Sequence, residues 1–357
     1  RMMTGFWKRL TSIGAGVTVT AFLSACGSGA APTPAAPSSH PASAAAKPSL
    51  APSRSAAASN SSARVAIKVG YSQVAVAFTP FFVAQDSGLF AKNGLDVTLE
   101  QVNGPAAVAA LLANEVQLDG LGANELSRAA LGGADLVAIA TLGDLPVFNL
   151  YADTKKYKVV QDLAGQTIGV TSLGSSTDVA ARLFLERYGM LGKVNIVPAG
   201  GTKDTVLAAL TQGLIAGAIM SPEQGTVVGK AGFAPLVEGL KVGIPLNFSV
   251  IGVTRGYLKN RPEVVRNFLK THQQAWTYIA NPASKTAVIK VLEQALKTGP
   301  DAAEAGYDAW FPVWSGKKVP TIDPEGITNT LKFSDDPKAK AAKGDQFIDN
   351  SLIQSIQ

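Results

Sequence analysis

A polar loop in the middle of the chain carries the side chains best suited to hold a small molecule. Its hydroxyls belong to Ser172, Ser175, Ser176 and Thr177, and Asp178 stands at S-x-x-D spacing from Ser175. The loop leads from a short β-branched strand into a helix with apolar residues at 3.6-residue spacing. Ligands of open α/β sheets bind at such strand ends, and free N–H groups at a helix start attract anions. The alternative is that Ser175 only caps the helix, in a capping box with Asp178.

Other polar side chains fall near predicted strand ends or chain crossings and are candidates for the same role. Their hydroxyl, amide and carboxylate groups can hold a small polar molecule without covalent chemistry, although a turn or cap role is the alternative for each. The acids among them disfavour an anion by charge repulsion and would suit a cationic amine or a neutral heterocycle. The candidates outside the central loop are Ser72, Gln73, Thr79, Asn124, Asp144, Ser221, Glu223 and Asn247.

The side chains needed for most metal and catalytic sites are scarce. The chain has one cysteine, Cys26, and two histidines, His40 and His272. These cannot form the usual Cys/His metal sites or a good Ser-His or Cys-His nucleophile system, so we expect no metal, no cofactor and no catalysis. We expect His272 to be a surface or half-buried helix residue, and Trp310 and Trp314 to pack a C-terminal helix.

The elements that position these residues alternate between strands and helices. Residues 65–71 and 95–102 are predicted strands, and helices are predicted to begin near Pro80 and Pro105. This β-α-β-α order predicts an α/β protein with a parallel sheet covered by helices on both faces. An Ala-Leu pair at residues 110–111 recurs at residues 209–210, each before a strand and a loop, and this weak repeat favours two lobes.

Several segments, in order, resemble one known family. Val69-Gly70-Tyr71, Ser87-Gly88-Leu89-Phe90 and Asn93-Gly94-Leu95-Asp96-Val97 are similar to the opening of the ABC-transporter solute-binding proteins of the nitrate, sulphonate, taurine and thiamine-precursor group. Residues 162–170 and the following Gly174-Ser175 are similar to the start of the second lobe in that family. The resemblance covers about residues 65–350.

The resemblance implies a two-lobed periplasmic-binding-protein fold, type II-like, with two hinge crossings. Its first lobe would comprise residues 65–147 plus 249–357, and its second lobe residues 148–248. The implied protein is the extracytoplasmic substrate-binding component of an ABC importer, a monomer that delivers a small polar molecule to a membrane permease. Two alternatives on the same fold are a ligand-sensing lipoprotein and an enzyme similar to the thiamine-pyrimidine synthases. Those synthases depend on histidine and a cysteine-rich segment, which this chain lacks.

The N-terminal residues predict export and membrane anchoring. Lys8 and Arg9 precede an uncharged apolar run that is too short to span a bilayer comfortably, which is typical of a signal peptide, here residues 1–25. The run ends at Leu23-Ser24-Ala25-Cys26, which resembles a bacterial lipobox and predicts lipidation of Cys26; the alternative is an ordinary signal peptide. Residues 26–64 are rich in Ala, Ser and Pro and predict a disordered tether. The protein would then face the periplasm or the outer cell surface from a bacterial membrane.

The charge pattern argues against nucleic acid as a partner. The chain carries 32 Lys and Arg against 26 Asp and Glu. Residues 1–64 hold six of the basic residues and no acidic residue, so the remainder has 26 of each sign. The high pI therefore comes from the N-terminal segment, and the globular part has no excess positive charge with which to attract a polyanion.

Overall fold

The framework consists of two five-stranded sheets with helices packed around them. The computed structural model describes residues 64–200 and 203–356, with all of their side chains except those of Pro105 and Lys203. The predicted signal peptide, the lipidation site at Cys26 and the tether up to residue 63 lie outside the described residues. The strands in these ranges are β1 (Val65–Tyr71), β2 (Leu95–Gln101), β3 (Leu118–Gly122), β4 (Leu136–Gly143), β5 (Asn149–Ala152), β6 (Thr167–Val170), β7 (Asn195–Pro198), β8 (Gly217–Met220), β9 (Ala234–Glu238) and β10 (Ser249–Thr254).

Many of the helices begin at a proline, which fits the first helical turn because it has no N–H to leave unpaired. Proline stands in the first or second position of seven helices in the described ranges, and Pro222 is an example. None of the helices in these ranges combines the length and the apolar character needed to cross a bilayer. The helices are α1 (Thr79–Asp86), α2 (Leu89–Lys92), α3 (Pro105–Leu112), α4 (Ala123–Leu131), α5 (Ser176–Arg187), α6 (Lys203–Thr211), α7 (Pro222–Lys230), α8 (Arg255–Asn260), α9 (Pro262–Ile279), α10 (Lys285–Leu296), α11 (Pro300–Ser315), α12 (Pro324–Leu331), α13 (Pro337–Ala341) and α14 (Ser351–Gln354).

Each sheet is mixed rather than parallel. The strand orders are β2-β1-β3-β10-β4 and β7-β6-β8-β5-β9. In the first sheet β10 runs antiparallel to both β3 and β4, and in the second sheet β5 runs antiparallel to both β8 and β9. The prediction of a parallel sheet is therefore wrong for these two strands. The reason is that β5 and β10 are the first strands after a crossing, so each enters its sheet from the edge where the neighbouring strands end.

The two crossings make the molecule two-lobed. The chain leaves the first sheet after β4, builds the whole second sheet from β5 to β9, and returns to the first sheet at β10. This is the predicted two-lobed α/β periplasmic-binding-protein fold with two crossings. The first lobe contains β1–β4 and β10, and the second lobe contains β5–β9. The predicted boundaries at residues 147/148 and 248/249 fall between strands and stay a prediction.

The core of the first lobe reaches further into α9 than the sequence indicates. The sequence predicts His272 as a surface or half-buried helix residue, but it is only 2% exposed, and its ring contacts Phe81 and Trp276. Its Nε2 lies 3.0 Å from the carbonyl oxygen of Thr141 on β4. Burial lowers the pKa of His272 to about 4, so the ring is neutral and Nε2–H donates to that carbonyl. The helix face that carries His272 is therefore covered by α1 and joined to the sheet.

Candidate ligand-binding cleft

A cavity of ≈ 600 Å³ lies between the two lobes. Its described walls are the loops that follow β1, β2 and β6 and the starts of α4, α5, α6 and α7, together with both crossings. The carboxyl ends of the strands in an open α/β sheet are the usual place for a ligand, and here two such edges face the same space. The polar residues that line the cavity are Ser72, Gln73, Asn103, Asn124, Glu125, Thr171, Ser175, Ser176, Thr177, Asp204, Ser221, Glu223, Gln224 and Ser249.

The structure brings eight of the twelve predicted site residues to this cavity. They come from four separate loops, two in each lobe, and so depend on the fold to meet. That they bind a ligand stays a prediction. The eight residues are Ser72, Gln73, Asn124, Ser175, Ser176, Thr177, Ser221 and Glu223.

The other four predicted site residues lie outside the lining. Thr79 is fully buried at the start of α1, and its hydroxyl donates to the carbonyl of Val76 at 2.5 Å. Ser172 is exposed to solvent. Asp144 forms an ion pair with Lys317 and is 12% exposed at its side chain. In each case the residue follows a strand or opens a helix, but its side chain points elsewhere or is already engaged.

Asn247 is the fourth residue outside the lining, and it braces the second crossing. It is fully buried; its Oδ1 accepts from the hydroxyl of Thr141 at 3.0 Å, and its Nδ2 donates to the carbonyl of Asp323 at 2.9 Å. Its own carbonyl accepts from the hydroxyl of Thr330 at 3.0 Å. These bonds tie the crossing to β4 and α12, so Asn247 has a structural role.

The start of α5 is capped by its own side chains. Ser175 is the N-cap, and its hydroxyl oxygen accepts from the N–H of Asp178 at 3.4 Å. The reciprocal half of the predicted capping box is absent, since the carboxylate of Asp178 accepts from the N–H of Gly174 at 2.9 Å instead. Gly174 permits this because its φ of 76° suits glycine best. Arg182, one turn further along α5, pairs with Asp178 at 3.0 Å, so its positive charge is already balanced by a carboxylate of the chain.

Two more helices that begin at the cavity are also capped from within. At α4, Oε2 of Glu125 accepts from the N–H of Gly122 at 3.3 Å. At α7, Oε1 of Gln224 accepts from the N–H and the hydroxyl of Ser221 at 3.1 and 3.0 Å. At each of the three helix starts an acceptor of the chain thus satisfies an N–H group at or beside the helix terminus, which leaves fewer donors for a bound anion.

The charged side chains that line the cavity are acids. Glu125, Asp204 and Glu223 are among them, and the described lining includes no lysine, arginine or histidine. Burial raises the pKa of Glu125, against the opposing effects of the Gly122 N–H and Arg128. One carboxylate oxygen of Glu223, Oε2, is buried without a hydrogen-bond partner in the described structure. The described lining of the cavity is therefore acidic.

A further acid, Asp119, lies in β3 close to this region. It is 0% exposed, and neither carboxylate oxygen has a hydrogen-bond partner among the described residues. A Cβ on Gly70 of the neighbouring strand would collide with this carboxylate. Burial, and to a lesser degree the charge of Glu125, raise the pKa of Asp119 to about 7.

Aromatic rings from the crossings and from the C-terminal region complete the walls. Phe148 follows the first predicted lobe boundary and Phe248 precedes the second, and their rings meet edge to face at 4.7 Å between ring centroids. Trp310 on α11 also lines the cavity, in addition to packing near Trp314 as expected. Strand-end patterns could have found Asn103 and Thr171, which were missed, but no local pattern marks Trp310 because it comes from a helix.

Away from the crossings, two side-chain contacts within the described residues join the lobes directly. Nδ2 of Asn124 on α4 donates to the carbonyl of Gly174 in the second lobe at 2.8 Å. Nζ of Lys332, just after α12, lies 2.6 Å from Oε2 of Glu186 on α5. The first contact is largely buried at Asn124, which is 9% exposed, whereas both partners of the second are well exposed. The Asn124 contact is thus the stronger link across the cavity.

The described residues offer little for metal binding or nucleophilic catalysis. No group of three or more His, Cys, Asp or Glu side chains among them is placed to hold a metal ion. His272 is buried away from the cavity. The described lining therefore consists of groups that bind by hydrogen bonding, charge and apolar contact.

Curated relatives match part of the chain. A protein of Brucella abortus (strain 2308), named provisionally as a binding protein, is 32% identical over 166 residues, which cover 46% of this chain and 50% of the relative. A protein of Brucella suis biovar 1 with the same kind of name matches equally. The chain spans about half the length of the curated relatives it matches.

Solved structures share the fold at low sequence identity. The ligand-binding component of an ABC-type import system from Staphylococcus aureus, with zinc bound, has a TM-score of 0.66 at 16% identity and covers 82% of this chain and 99% of that chain. The nitrate-binding protein of Synechocystis PCC 6803 has a TM-score of 0.63 at 12% identity, covering 82% and 88%. The aliphatic sulphonate-binding protein of Escherichia coli has a TM-score of 0.60 at 19% identity, covering 69% and 83%.

The family itself is identified from the sequence match. Residues 75–285, more than half of the chain, match the family described as NMT1/THI5 like. The matched range begins in the loop after β1 and ends at the start of α10, so it includes the second lobe and both crossings. The chain therefore belongs to the NMT1/THI5-like family.

Proposed function

We propose that this protein is the extracytoplasmic solute-binding component of an ABC importer. It captures a small polar molecule between its two lobes and presents the closed form to a membrane permease. The observation that carries the proposal is the cavity itself, which is lined by polar side chains of both lobes and bordered by both crossings. A ligand that contacts both lobes favours the closed arrangement over the open one, which is the signal a permease can recognise.

The rest of the proposal concerns location and assembly. The lipobox-like Leu23-Ser24-Ala25-Cys26 supports an exported protein anchored by a lipid on Cys26, with residues 26–64 as the tether. Solved neighbours named as ABC import components support the permease as partner. The protein acts as a monomer and without a cofactor.

Ligand binding is tested with the purified full chain. A thermal-shift screen of sulphonates, nitrate, amines and aminopyrimidines should give at least one compound that raises the melting temperature. At a hundredfold excess over Kd the stabilisation is about 2.7 kcal/mol. Failure of every compound in a broad screen would count against solute binding.

Import is separated from the alternatives by two further measurements. In liposomes that contain the partner permease and ATPase, the ligand-loaded protein should stimulate ATP hydrolysis, which a sensing lipoprotein would not do. Chemical analysis of the ligand after long incubation should return it unchanged. A product formed by the purified protein would favour the enzyme alternative instead.

A further inference from the structure

We propose that the ligand is a small organic cation, a protonated amine, and not an anion of the sulphonate or nitrate type. This inference rests on the proposed function, because it names the class of molecule that the cleft between the lobes captures. The site is the cavity already described. The chemical class of the ligand is inferred from three properties of the cavity walls: the charges of the side chains, the capping of the helix starts, and the apolar surface.

The first argument is the sign of the charge around the cavity. The carboxylates of Glu125 and Glu223 line it from opposite lobes, Asp204 adds a third, and the described lining holds no basic side chain to balance them. An anion placed here would be repelled from both sides, whereas an ammonium group would be attracted from both sides.

The second argument is an unsatisfied acceptor. Oε2 of Glu223 is buried and has no hydrogen-bond partner within the described residues. Glu223 lies in the first turn of α7, close to Gly306 of α11 in the other lobe. A buried acceptor without a partner costs free energy, and a ligand N–H donor would supply the missing hydrogen bond.

The third argument is that the features that usually recognise anions are already in use. The helix starts at the cavity already hold acceptors of the chain: Ser175 caps α5, and Glu125 and Gln224 accept the N–H groups of Gly122 and Ser221 at the starts of α4 and α7. Arg182, in the second turn of α5, is paired with Asp178. An anion would meet fewer free N–H donors and several nearby acceptors at these helix starts, while a cation could bond to the acceptors directly.

The fourth argument separates an organic cation from a metal ion. The described acids are not grouped closely enough for three of them to hold one ion. The rings of Phe148, Phe248 and Trp310 add apolar and aromatic surface to the same cavity. Aromatic faces attract ammonium groups and pack against hydrocarbon, so the lining suits a molecule with a charged amine and an apolar part.

The test compares compounds of one shape and different charge. The full chain is titrated by calorimetry with benzylamine, benzyl alcohol and benzenesulphonate, and with the matching aliphatic amines, alcohols and sulphonates. Binding of an amine in preference to its matched alcohol and sulphonate supports the proposal. Equal or tighter binding of a sulphonate, a response to Zn²⁺ or Ca²⁺ alone, or no binding of any amine overturns it.

Two isosteric variants locate the selectivity in the cleft. Glu223→Gln and Glu125→Gln should each weaken amine binding by about tenfold or more, because each removes a charge while keeping the side-chain shape. Glu238→Gln removes a carboxylate that pairs with Lys241 on the surface, and it should leave the affinity unchanged. Equal losses in all three variants, or no loss in either cleft variant, would overturn the assignment.

The same data distinguish this inference from the proposed function. Binding of a sulphonate or a neutral ring in place of an amine would disprove the ligand class and leave solute binding intact. Absence of binding across all classes would count against both.

Discussion

At the residue scale, Asp119 is a carboxylic acid enclosed without a hydrogen-bond partner. Its pKa is raised from 3.8 to about 7, so between these values the folded protein binds more protons than the unfolded chain. The contribution of Asp119 to stability is therefore complete below about pH 3.8 and is lost as the pH rises through about 7. Above that pH the folded protein must either bury a charged carboxylate or keep the group protonated, and both cost free energy.

Asp119→Asn should remove this pH dependence. At pH 8 the variant should be more stable than the parent by on the order of 2–4 kcal/mol, and at pH 4 the two should be similar. Urea unfolding at a series of pH values measures the difference. Asp96→Asn, at an exposed position of β2, is the control and should have little effect at either pH. A parallel pH profile for parent and Asp119→Asn would contradict the prediction.

Asn247 allows a second test at the residue scale. Asn247→Ala should lower the free energy of unfolding by about 2–4 kcal/mol, because it leaves the Thr141 hydroxyl and the Asp323 carbonyl without their buried partner. Ser172→Ala changes an exposed side chain and should stay within about 0.5 kcal/mol of the parent. Chemical denaturation of the ligand-free protein measures both. If Asn247→Ala instead lost ligand affinity without losing stability, Asn247 would be a ligand-binding residue and not a structural one.

At the element scale, the start of α5 contains two serines with different contacts. Ser175 caps the helix and also donates to the carbonyl of Ser172 at 2.7 Å. No hydrogen bond of the Ser176 side chain is found in the described structure, although Ser176 lines the cavity as well. The two roles considered for this loop can therefore be tested separately: helix capping at Ser175 and ligand contact at Ser176.

Ser175→Ala and Ser176→Ala should therefore have different effects. Ser175→Ala should lower the stability of the ligand-free protein by about 1 kcal/mol, which is typical of a lost helix cap. Ser176→Ala should leave stability nearly unchanged and weaken ligand binding. Thermal unfolding without ligand and calorimetry with ligand separate the two effects. Equal destabilisation by both substitutions would show that Ser176 also has a structural role.

The sequence predicted most elements but not their direction in the sheet. The alternating residues of β1 give its bounds directly, and Pro80 and Pro105 mark the starts of α1 and α3. The same pattern of alternation fits a parallel or an antiparallel strand, so the orientation of β5 and β10 could not be derived from it. Their direction is a consequence of the crossings, which are a property of the whole chain.

The residues of the candidate site were predictable only where the neighbouring sequence marks the end of a strand. Residues that directly follow a strand, such as Ser72 and Ser221, could be placed at the cavity. Asp144 also follows a strand directly and Asn247 lies at a crossing, but their partners Lys317 and Asp323 are 173 and 76 residues away. No local pattern reveals that such distant groups already occupy a polar side chain.

At the scale of the whole molecule, the contact between Asn124 and Gly174 should help to hold the lobes together. Asn124→Ala should shift the ligand-free protein towards a more open arrangement and raise Kd about tenfold or less, since one hydrogen bond across the cavity is lost. Small-angle X-ray scattering should show a larger radius of gyration, and calorimetry should show the weaker binding.

The exposed ion pair provides the matched control. Lys332→Ala removes the contact with Glu186, whose net contribution should be under about 1 kcal/mol because water competes for both partners. Its scattering curve should match that of the parent. A larger opening in Lys332→Ala than in Asn124→Ala would reverse the ranking of the two contacts.

The position of β10 also constrains the order in which the protein can be assembled from its emerging chain. β4 is joined to the rest of the first sheet through β10, which lies between β3 and β4. Residues 136–143 are synthesised early, but the strand that holds them in place begins only at residue 249. The inserted second lobe is contiguous and can complete its own sheet first. The first lobe therefore has to remain unfinished, with apolar β4 unprotected, until the second lobe has been made.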